Sequence, residues 1–261
     1  MQLMRIRYIF LWGAMPFALL QTGFGQNFAD LGFEQASLSP VPSGQYGGFV
    51  PIASALPGWI GYLGTNQVTQ VLQNNYTLGS ASIDILGPGW TNGIIQGRYT
   101  VVLQEGQDAS QPFPVLINAS ISQVGLVPTT AKSIQLKESG SGDFTVSFAG
   151  QNLALIPLGV GTGVGINYTL YGADISMFAG QAGALTITEL VSQGISPPDY
   201  FDSIVFSPQT VPEPSALSLF TICILLVCGW KKRPNQPRQP TPGARLSVFP
   251  MPVARRGRAQ L

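Results

Sequence analysis

Ser82-Ile83-Asp84-Ile85 alternates polar and apolar residues, which is the period-two pattern of a β-strand with one buried face. Gln67-Val68-Thr69-Gln70-Val71-Leu72 and Arg98-Tyr99-Thr100-Val101-Val102-Leu103 are further short runs rich in β-branched residues. Glycines and prolines separate such runs, and none of them has the period of an amphipathic helix. Many short strands between turns predict an all-β fold, a β-sandwich or jelly roll.

The same pattern predicts strands at 115–124, 133–136, 144–148, 167–178, 184–190 and 200–206. The glycine-rich run Gly159-Val160-Gly161-Thr162-Gly163-Val164-Gly165 has neither the G-x-G-x-x-G spacing nor the lysine of a phosphate-binding loop. We expect it to form a flexible connection between two strands of a hairpin.

Charge is divided unevenly along the 261 residues. Residues 26–210 contain 11 acidic side chains but only three basic ones, Arg98, Lys132 and Lys137, so their formal net charge is −8. Nucleic-acid binding needs a surface of Lys and Arg that neutralises phosphates. The composition therefore excludes nucleic acid as a partner of this domain.

The residues required for most hydrolytic mechanisms are missing from the sequence. The chain has no histidine, and its two cysteines, Cys223 and Cys228, both lie in an apolar C-terminal segment. Ser-His-Asp and Cys-His catalysis and histidine-ligated zinc are thereby excluded. Carboxylates could still support a glycan hydrolase or lyase. The candidates are Asp30, Glu34, Asp84, Asp143, Asp174 and Asp202, and their spacing selects no pair. We expect no enzyme activity.

The N-terminus has the features of a secretory signal peptide. Arg5 and Arg7 precede a short apolar run that ends at small residues, Gly23 and Gly25. We expect signal peptidase to remove residues 1–25 and the domain at 26–210 to be exported.

The C-terminus combines three elements in a fixed order. Val211-Pro212-Glu213-Pro214 is followed by 16 uncharged residues at 215–230 and then by Lys231-Lys232-Arg233. A helix of 16 residues rises about 24 Å, somewhat less than the hydrocarbon core of a bilayer. The basic cluster would stop transfer and remain cytoplasmic, which places the acidic domain outside. Residues 234–261 are rich in Pro, Gln and Arg, and we expect a disordered basic tail.

These C-terminal elements resemble the PEP-CTERM protein-sorting signal of Gram-negative bacteria. The resemblance implies that the membrane transpeptidase exosortase recognises Pro212, Glu213 and Pro214. It also implies an inner-membrane intermediate, held by the helix, that is processed and delivered to the cell surface or the extracellular polysaccharide matrix. The tail departs from the family pattern, because members usually end soon after the basic cluster.

The exported domain loosely resembles jelly-roll modules of the galactose-binding-like class, common among carbohydrate-binding proteins. The resemblance rests on Asn27–Glu34, on Leu56-Pro57-Gly58-Trp59 and on the closing run Tyr200–Phe206. In such modules the first and last strands are neighbours, and an early and a late acid can hold structural Ca²⁺ through oxygen ligands. Glu34 and Asp202 match those positions, although solvated or turn-capping acids are the favoured explanation.

Aromatic side chains provide the candidate glycan contacts. Trp59, Trp90, Tyr46 and Tyr62 could stack on sugar rings, and Trp90 is preferred because Gly87-Pro88-Gly89 places it in a loop. Trp59 follows Pro57-Gly58, and a buried core residue is its default explanation. The sequence thus predicts a structural or polysaccharide-associated surface or matrix protein, with a dedicated carbohydrate-binding module as the first alternative.

Overall fold

The computed structural model describes residues 26–77, 79–113, 115–191 and 197–212. The chain divides into two compact units, Met1–Pro214 and Ser215–Leu261, and all described residues belong to the first. The predicted signal peptide, Glu213, Pro214, the helix at 215–230, the basic cluster at 231–233 and the tail lie outside the described residues. Within the described ranges no helix combines the length and the apolarity needed to cross a membrane.

The domain is built of short strands. They are β1 (Phe49–Pro51), β2 (Ile60–Leu63), β3 (Asn66–Val68), β4 (Gln70–Gln73), β5 (Ser82–Leu86), β6 (Thr100–Gln104), β7 (Gly106–Gln107), β8 (Leu116–Ile117), β9 (Ala119–Leu126), β10 (Ser133–Ser139), β11 (Phe144–Phe148), β12 (Gln151–Asn152), β13 (Ile156–Thr162), β14 (Asn167–Asp174), β15 (Ala182–Glu189) and β16 (Asp199–Ser207). Helical structure in the described ranges consists of α1 (Ile52–Ala55) and one 3₁₀ turn (Ser176–Phe178). The predicted all-β fold is confirmed.

Two larger sheets and one two-stranded ribbon contain these strands. The eight-stranded sheet has the order β1-β4-β5-β6-β16-β10-β14-β13, and the six-stranded sheet has the order β12-β11-β15-β9-β2-β3. Strands β7 and β8 form the ribbon. All strand pairs are antiparallel except β4 with β5. The sheets have a sandwich-like arrangement.

The core lies between the two sheets because apolar residues recur at every second position. In β9, Ala119 and Ile121 are fully buried, and in β15 the same is true of Leu185, with Ile187 almost fully buried. Such alternation sends one face of each strand inward. The apolar residues of both sheets form one continuous cluster with Phe33, Trp59, Phe148 and Phe201.

The opening segment closes against the last strand. Ile204 of β16 donates its backbone N–H to the Leu31 carbonyl at 2.9 Å, and the rings of Phe28 and Phe206 lie 5.4 Å apart. The early and late landmarks of the sequence are therefore spatial neighbours.

Four sequence predictions differ from the observed strands. The predicted strand at 115–124 is divided at Asn118, because β8 belongs to the ribbon and β9 to the six-stranded sheet. The run at 67–72 is divided at Thr69, because β3 joins the six-stranded sheet and β4 the eight-stranded one. The predicted strand at 167–178 ends at Asp174, whose side chain caps a 3₁₀ turn by accepting the Ser176 N–H at 2.8 Å. The glycine-rich run is not simply a loop, since its first half belongs to β13, which pairs with β14.

Two valines provide a matched test of this core. Val146 is 1 % exposed and Val160 is 86 % exposed. We expect Val146→Ala to lower the free energy of unfolding of the full-length chain by about 1.5–3 kcal/mol, because it removes buried methyl groups. Val160→Ala should change it by less than about 0.5 kcal/mol. Urea unfolding followed by tryptophan fluorescence measures both values, and equal effects would contradict the assigned inner face.

Candidate functional site

The loop that carries Trp90 has a conformation imposed by its neighbours. Gly89 has φ of +97°, and a Cβ at this position would collide with the carbonyl of Val41. Asn74 is fully buried and bonds the loop twice, accepting the Gly87 N–H at 2.7 Å and donating to the Pro88 carbonyl at 3.1 Å. The loop is therefore held in one shape by a glycine and by a buried amide.

Trp90 lines a surface cleft of about 170 Å³ together with Tyr46. Tyr46 is 72 % exposed, and the two ring centroids are 6.1 Å apart with an interplanar angle of 54°. The cleft is completed by Gly44, Gln45, Gly89 and Thr91. Two aromatic rings beside an amide and a hydroxyl can contact both the C–H faces and the hydroxyl groups of a sugar.

Trp90 is supported from behind by further aromatic residues. Tyr76 meets it edge-on at 5.1 Å and shares a 2.9 Å hydroxyl–hydroxyl hydrogen bond with Tyr200 of β16. These three rings pack on a small apolar cluster of Leu86, Ile94 and Val102. This cluster is separate from the inter-sheet core, so the aromatic cleft has its own apolar base.

Trp59 has no comparable access to a ligand. Its side chain is 3 % exposed, its ring lies 5.6 Å from that of Phe33, and its Nε1 donates to the Asp30 carbonyl at 3.2 Å. The buried, hydrogen-bonded indole is a core residue in this structure, as the default explanation from the sequence anticipated. Trp90 and Tyr46 remain the glycan candidates.

Glu34 and Asp202 act on the same loop, residues 96–100. The Glu34 carboxylate accepts the backbone N–H groups of Arg98 and Tyr99, the shortest at 2.9 Å. Oδ2 of Asp202 accepts the Gln96 N–H at 2.9 Å and the Thr100 hydroxyl at 3.0 Å. Burial raises the pKa of Asp202 to about 6. These oxygens stabilise the loop through N–H and O–H donors, and Ca²⁺ at this pair stays a prediction.

A second group of acids was not anticipated from the sequence. Glu105, Glu138, Glu189 and Asp199 are at most 3 % exposed, and we call them the buried acid cluster. Glu138 is in phase with the core residues Ile134 and Leu136 on β10, and Glu189 is in phase with Leu185 and Ile187 on β15. The cluster therefore lies at one end of the inter-sheet space. Extending the alternation of buried residues by one more step along each strand would have identified Glu138 and Glu189 as buried.

Hydrogen bonds satisfy the cluster only in part. Glu189 Oε2 accepts the Glu105 N–H at 3.0 Å, and Asp199 Oδ1 accepts the Ser141 hydroxyl at 3.0 Å and the Gly142 N–H at 3.3 Å. Glu138 Oε1, Glu189 Oε1 and Asp199 Oδ2 are buried without a hydrogen-bond partner. Among the described residues, no three acidic side chains converge as the ligands of a metal ion.

Protonation explains how Glu138, Glu189 and Asp199 can be buried. Desolvation, followed by repulsion from Asp199, raises the pKa of Glu138 to about 7 and that of Glu189 to about 9. Desolvation also raises the pKa of Asp199. A neutral carboxyl avoids the cost of a buried charge and can donate its proton to a neighbouring oxygen.

A cleft with a volume of about 600 Å³ adjoins this cluster. It lies between the β10–β11 turn and the β13–β14 hairpin. Glu138 lines the cleft, and the aromatic residues in the lining are Tyr168 and Tyr171. Its remaining lining residues are Ser139, Gly140, Ser141, Gly142, Val160, Gly161, Thr162, Asn167 and Thr169.

The first residues of the predicted sorting motif follow directly on the folded domain. β16 ends at Ser207, and the Ser133 hydroxyl donates to the Gln209 carbonyl at 2.8 Å. Pro212 is exposed, whereas Glu213 and Pro214 lie outside the described residues. The chain is thus tied to the sheet until a few residues before the motif.

Comparison with known proteins identifies no relative. No protein-family model matches the chain, and the search of curated proteins found no match.

The buried acid cluster predicts that the domain becomes less stable as pH rises. A carboxyl whose pKa is raised in the folded state contributes stability that is present below its unfolded pKa, near 4.5, and is lost as pH rises through the folded value. We therefore expect stability to fall between pH 5 and pH 9, through the values of about 7 and about 9 cited above. Urea unfolding at fixed pH values measures this.

The variant Glu189→Gln tests the origin of the effect. The neutral amide retains the shape of the side chain but cannot ionise, so the loss of stability between pH 7 and pH 9 should become smaller. Asp174→Asn, at an exposed residue, removes the same formal charge and should leave the pH profile unchanged. A wild-type profile in Glu189→Gln would contradict the assignment.

Proposed function

We propose that this chain is an exported, non-enzymatic protein of the Gram-negative cell surface or extracellular matrix, and that its β-sandwich associates with polysaccharide. The observation that carries the proposal is the Tyr46–Trp90 cleft. An exposed tyrosine and a half-buried tryptophan line a depression that also contains Gln45 and Thr91. Contacts of this kind suit the apolar face and the hydroxyl groups of a saccharide.

The support behind Trp90 favours binding over a role in packing alone. Asn74 fixes the loop backbone, and Tyr76 fixes the edge of the indole. A ring held in place loses little conformational entropy when a ligand stacks on it. We assign the domain to the jelly-roll, galactose-binding-like class, an assignment that the contact between Leu31 and Ile204 supports. A dedicated carbohydrate-binding module is the specific form of this proposal.

Export and sorting complete the proposal. Signal peptidase would remove residues 1–25, and the apolar segment at 215–230 would hold an inner-membrane intermediate in which Lys231-Lys232-Arg233 stays cytoplasmic. Exosortase would then recognise Pro212, Glu213 and Pro214. Prolines on both sides of Glu213 restrict the backbone to an extended form, which suits binding in an active-site groove.

Trp90→Ala tests the glycan contact. We expect the full-length chain in mild detergent to bind matrix polysaccharide from its host saturably, and Trp90→Ala to weaken binding about tenfold through loss of the stacked ring. Phe113→Ala removes an aromatic residue that is 77 % exposed elsewhere on the surface and should have no effect. Calorimetric titration measures the affinities.

Two outcomes would count against the cleft. Equal binding by wild type and Trp90→Ala would place the glycan contact elsewhere, and absence of saturable binding would leave a purely structural matrix protein. Because Trp90 is half-buried, thermal unfolding of the variant should be compared with that of Phe113→Ala.

Glu213→Ala tests the sorting signal separately. In the native host we expect intact-mass analysis and fractionation to find an extracellular wild-type species without the signal peptide and without residues beyond the Pro-Glu-Pro region. Glu213→Ala should accumulate in the inner membrane with its C-terminus attached, whereas Asp108→Ala, an acid removed elsewhere, should be sorted normally. A full-length C-terminus in the inner membrane for every variant would exclude processing at this motif.

A further inference from the structure

The 600 Å³ cleft is distinct from the aromatic cleft and forms at the edge of the eight-stranded sheet. Its walls are the turn between β10 and β11 and the hairpin of β13 and β14. The Ser141 hydroxyl and the Gly142 N–H of the turn bond Asp199, so this wall is fixed to the buried acid cluster.

The cleft offers two aromatic rings at defined positions. Tyr168 lies across its cross-strand partner Gly161, where any Cβ would collide with the ring. Tyr171 contacts Phe144 edge-on at 5.3 Å, which fixes the inner side of the cleft. Asn167, Thr162 and Thr169 add amide and hydroxyl groups to the lining. Such a lining suits a ligand that carries several hydroxyls.

Two buried carboxyl groups, those of Glu138 and Asp199, lie beside the cleft. Glu138 lines the cleft, is 3 % exposed, and has an Oε1 atom without a hydrogen-bond partner. The electrostatic neighbours that act on Tyr171 are Glu138 and Asp199. Lys137 is the nearby base, but its ammonium bonds Gln96 and stacks on Tyr168 at 4.7 Å, and it does not belong to the lining of the cleft.

We propose that this cleft binds a saccharide bearing a free amine, with the ammonium group facing Glu138 and the sugar hydroxyls bonded by the polar lining. A buried carboxyl group with one oxygen unpaired gains most from a ligand that brings positive charge and hydrogen-bond donors together. An N-acetylated sugar has lost that charge, and a uronic acid would add a further carboxylate beside Glu138 and Asp199. The site is independent of the Tyr46–Trp90 cleft and of the sorting motif.

Protonation of Glu138 gives the site a second observable. Burial holds the pKa of this carboxyl at about 7, so a bound ammonium that favours the ionised form displaces a proton. Titrations at pH 6, where the amine of the ligand is already protonated, should therefore give different apparent binding enthalpies in two buffers of different ionisation enthalpy, and Glu138→Gln should abolish the difference.

In the experiment, the full-length chain in mild detergent is titrated with a disaccharide of two glucosamine units, each of which carries a free amine. We expect the N-acetylated disaccharide to bind about tenfold more weakly, and Glu138→Gln to weaken binding of the free amine by about the same factor. Asp174→Asn removes an equal charge at the far end of β14 and should change the affinity less than twofold, and Trp90→Ala should have no effect. Asn167→Ala, at an exposed lining residue, should weaken binding about threefold without affecting the fold.

Four results would overturn the proposal. The first is that the free-amine disaccharide does not bind, and the second is that the acetylated disaccharide binds with equal affinity. The third is that Glu138→Gln and Asp174→Asn weaken binding equally. The fourth is that putrescine or Ca²⁺ binds as tightly as the free-amine disaccharide and depends on Glu138 to the same degree. The third would indicate attraction to the negative surface as a whole. The fourth would indicate a general cation site.

Discussion

The pairing of β16 with both β6 and β10 holds the eight-stranded sheet together. Without this strand the sheet would consist of two separate parts, β1-β4-β5-β6 and β10-β14-β13. The consecutive residues of its first half serve every site of the domain. Asp199 belongs to the buried acid cluster, Tyr200 supports Trp90 through Tyr76, Phe201 packs in the core, and Asp202 stabilises the loop at 96–100.

Alternation explains how one strand reaches both faces. Phe201 points into the inter-sheet core, and Tyr200 joins the outer apolar cluster with Val102, its partner on β6. Side chains on opposite faces of this one strand therefore support the two clefts, Tyr200 through Tyr76 and Asp199 through Ser141 and Gly142. The two clefts differ in chemistry, since one is lined by aromatic rings and the other is bordered by buried carboxyl groups.

Much of the fold follows from local pattern. Period two in β5, β11 and β16 predicted their positions within about two residues, and glycines around Trp90 correctly predicted a loop. The division at Thr69 could not be predicted, because each half of 67–72 is a plausible strand and only the packing of two sheets assigns them to different layers. The same holds for β13. Its glycines permit either a loop or an edge strand, and only pairing with β14 determines that it forms a strand.

The sites were less predictable than the strands. Trp90 could be chosen from sequence because exposure follows from loop position, and Tyr46 was named without its proximity to Trp90 being foreseen. The buried acid cluster required the register of β10, β15 and β16 and the position of Glu105 between β6 and β7, and these parts are distant in the chain. Because acidic residues are usually exposed, these positions were expected at the surface even though the alternation along β10 and β15 places Glu138 and Glu189 on the buried face.

The central place of β16 also has a consequence for biosynthesis. The strands on either side of it are made tens of residues earlier, and until Asp199–Ser207 is available their edges have no partner. Unpaired edges are templates for aggregation, and long-range pairing is slow. The eight-stranded sheet of a nascent chain therefore cannot be completed before Ser207 has been synthesised.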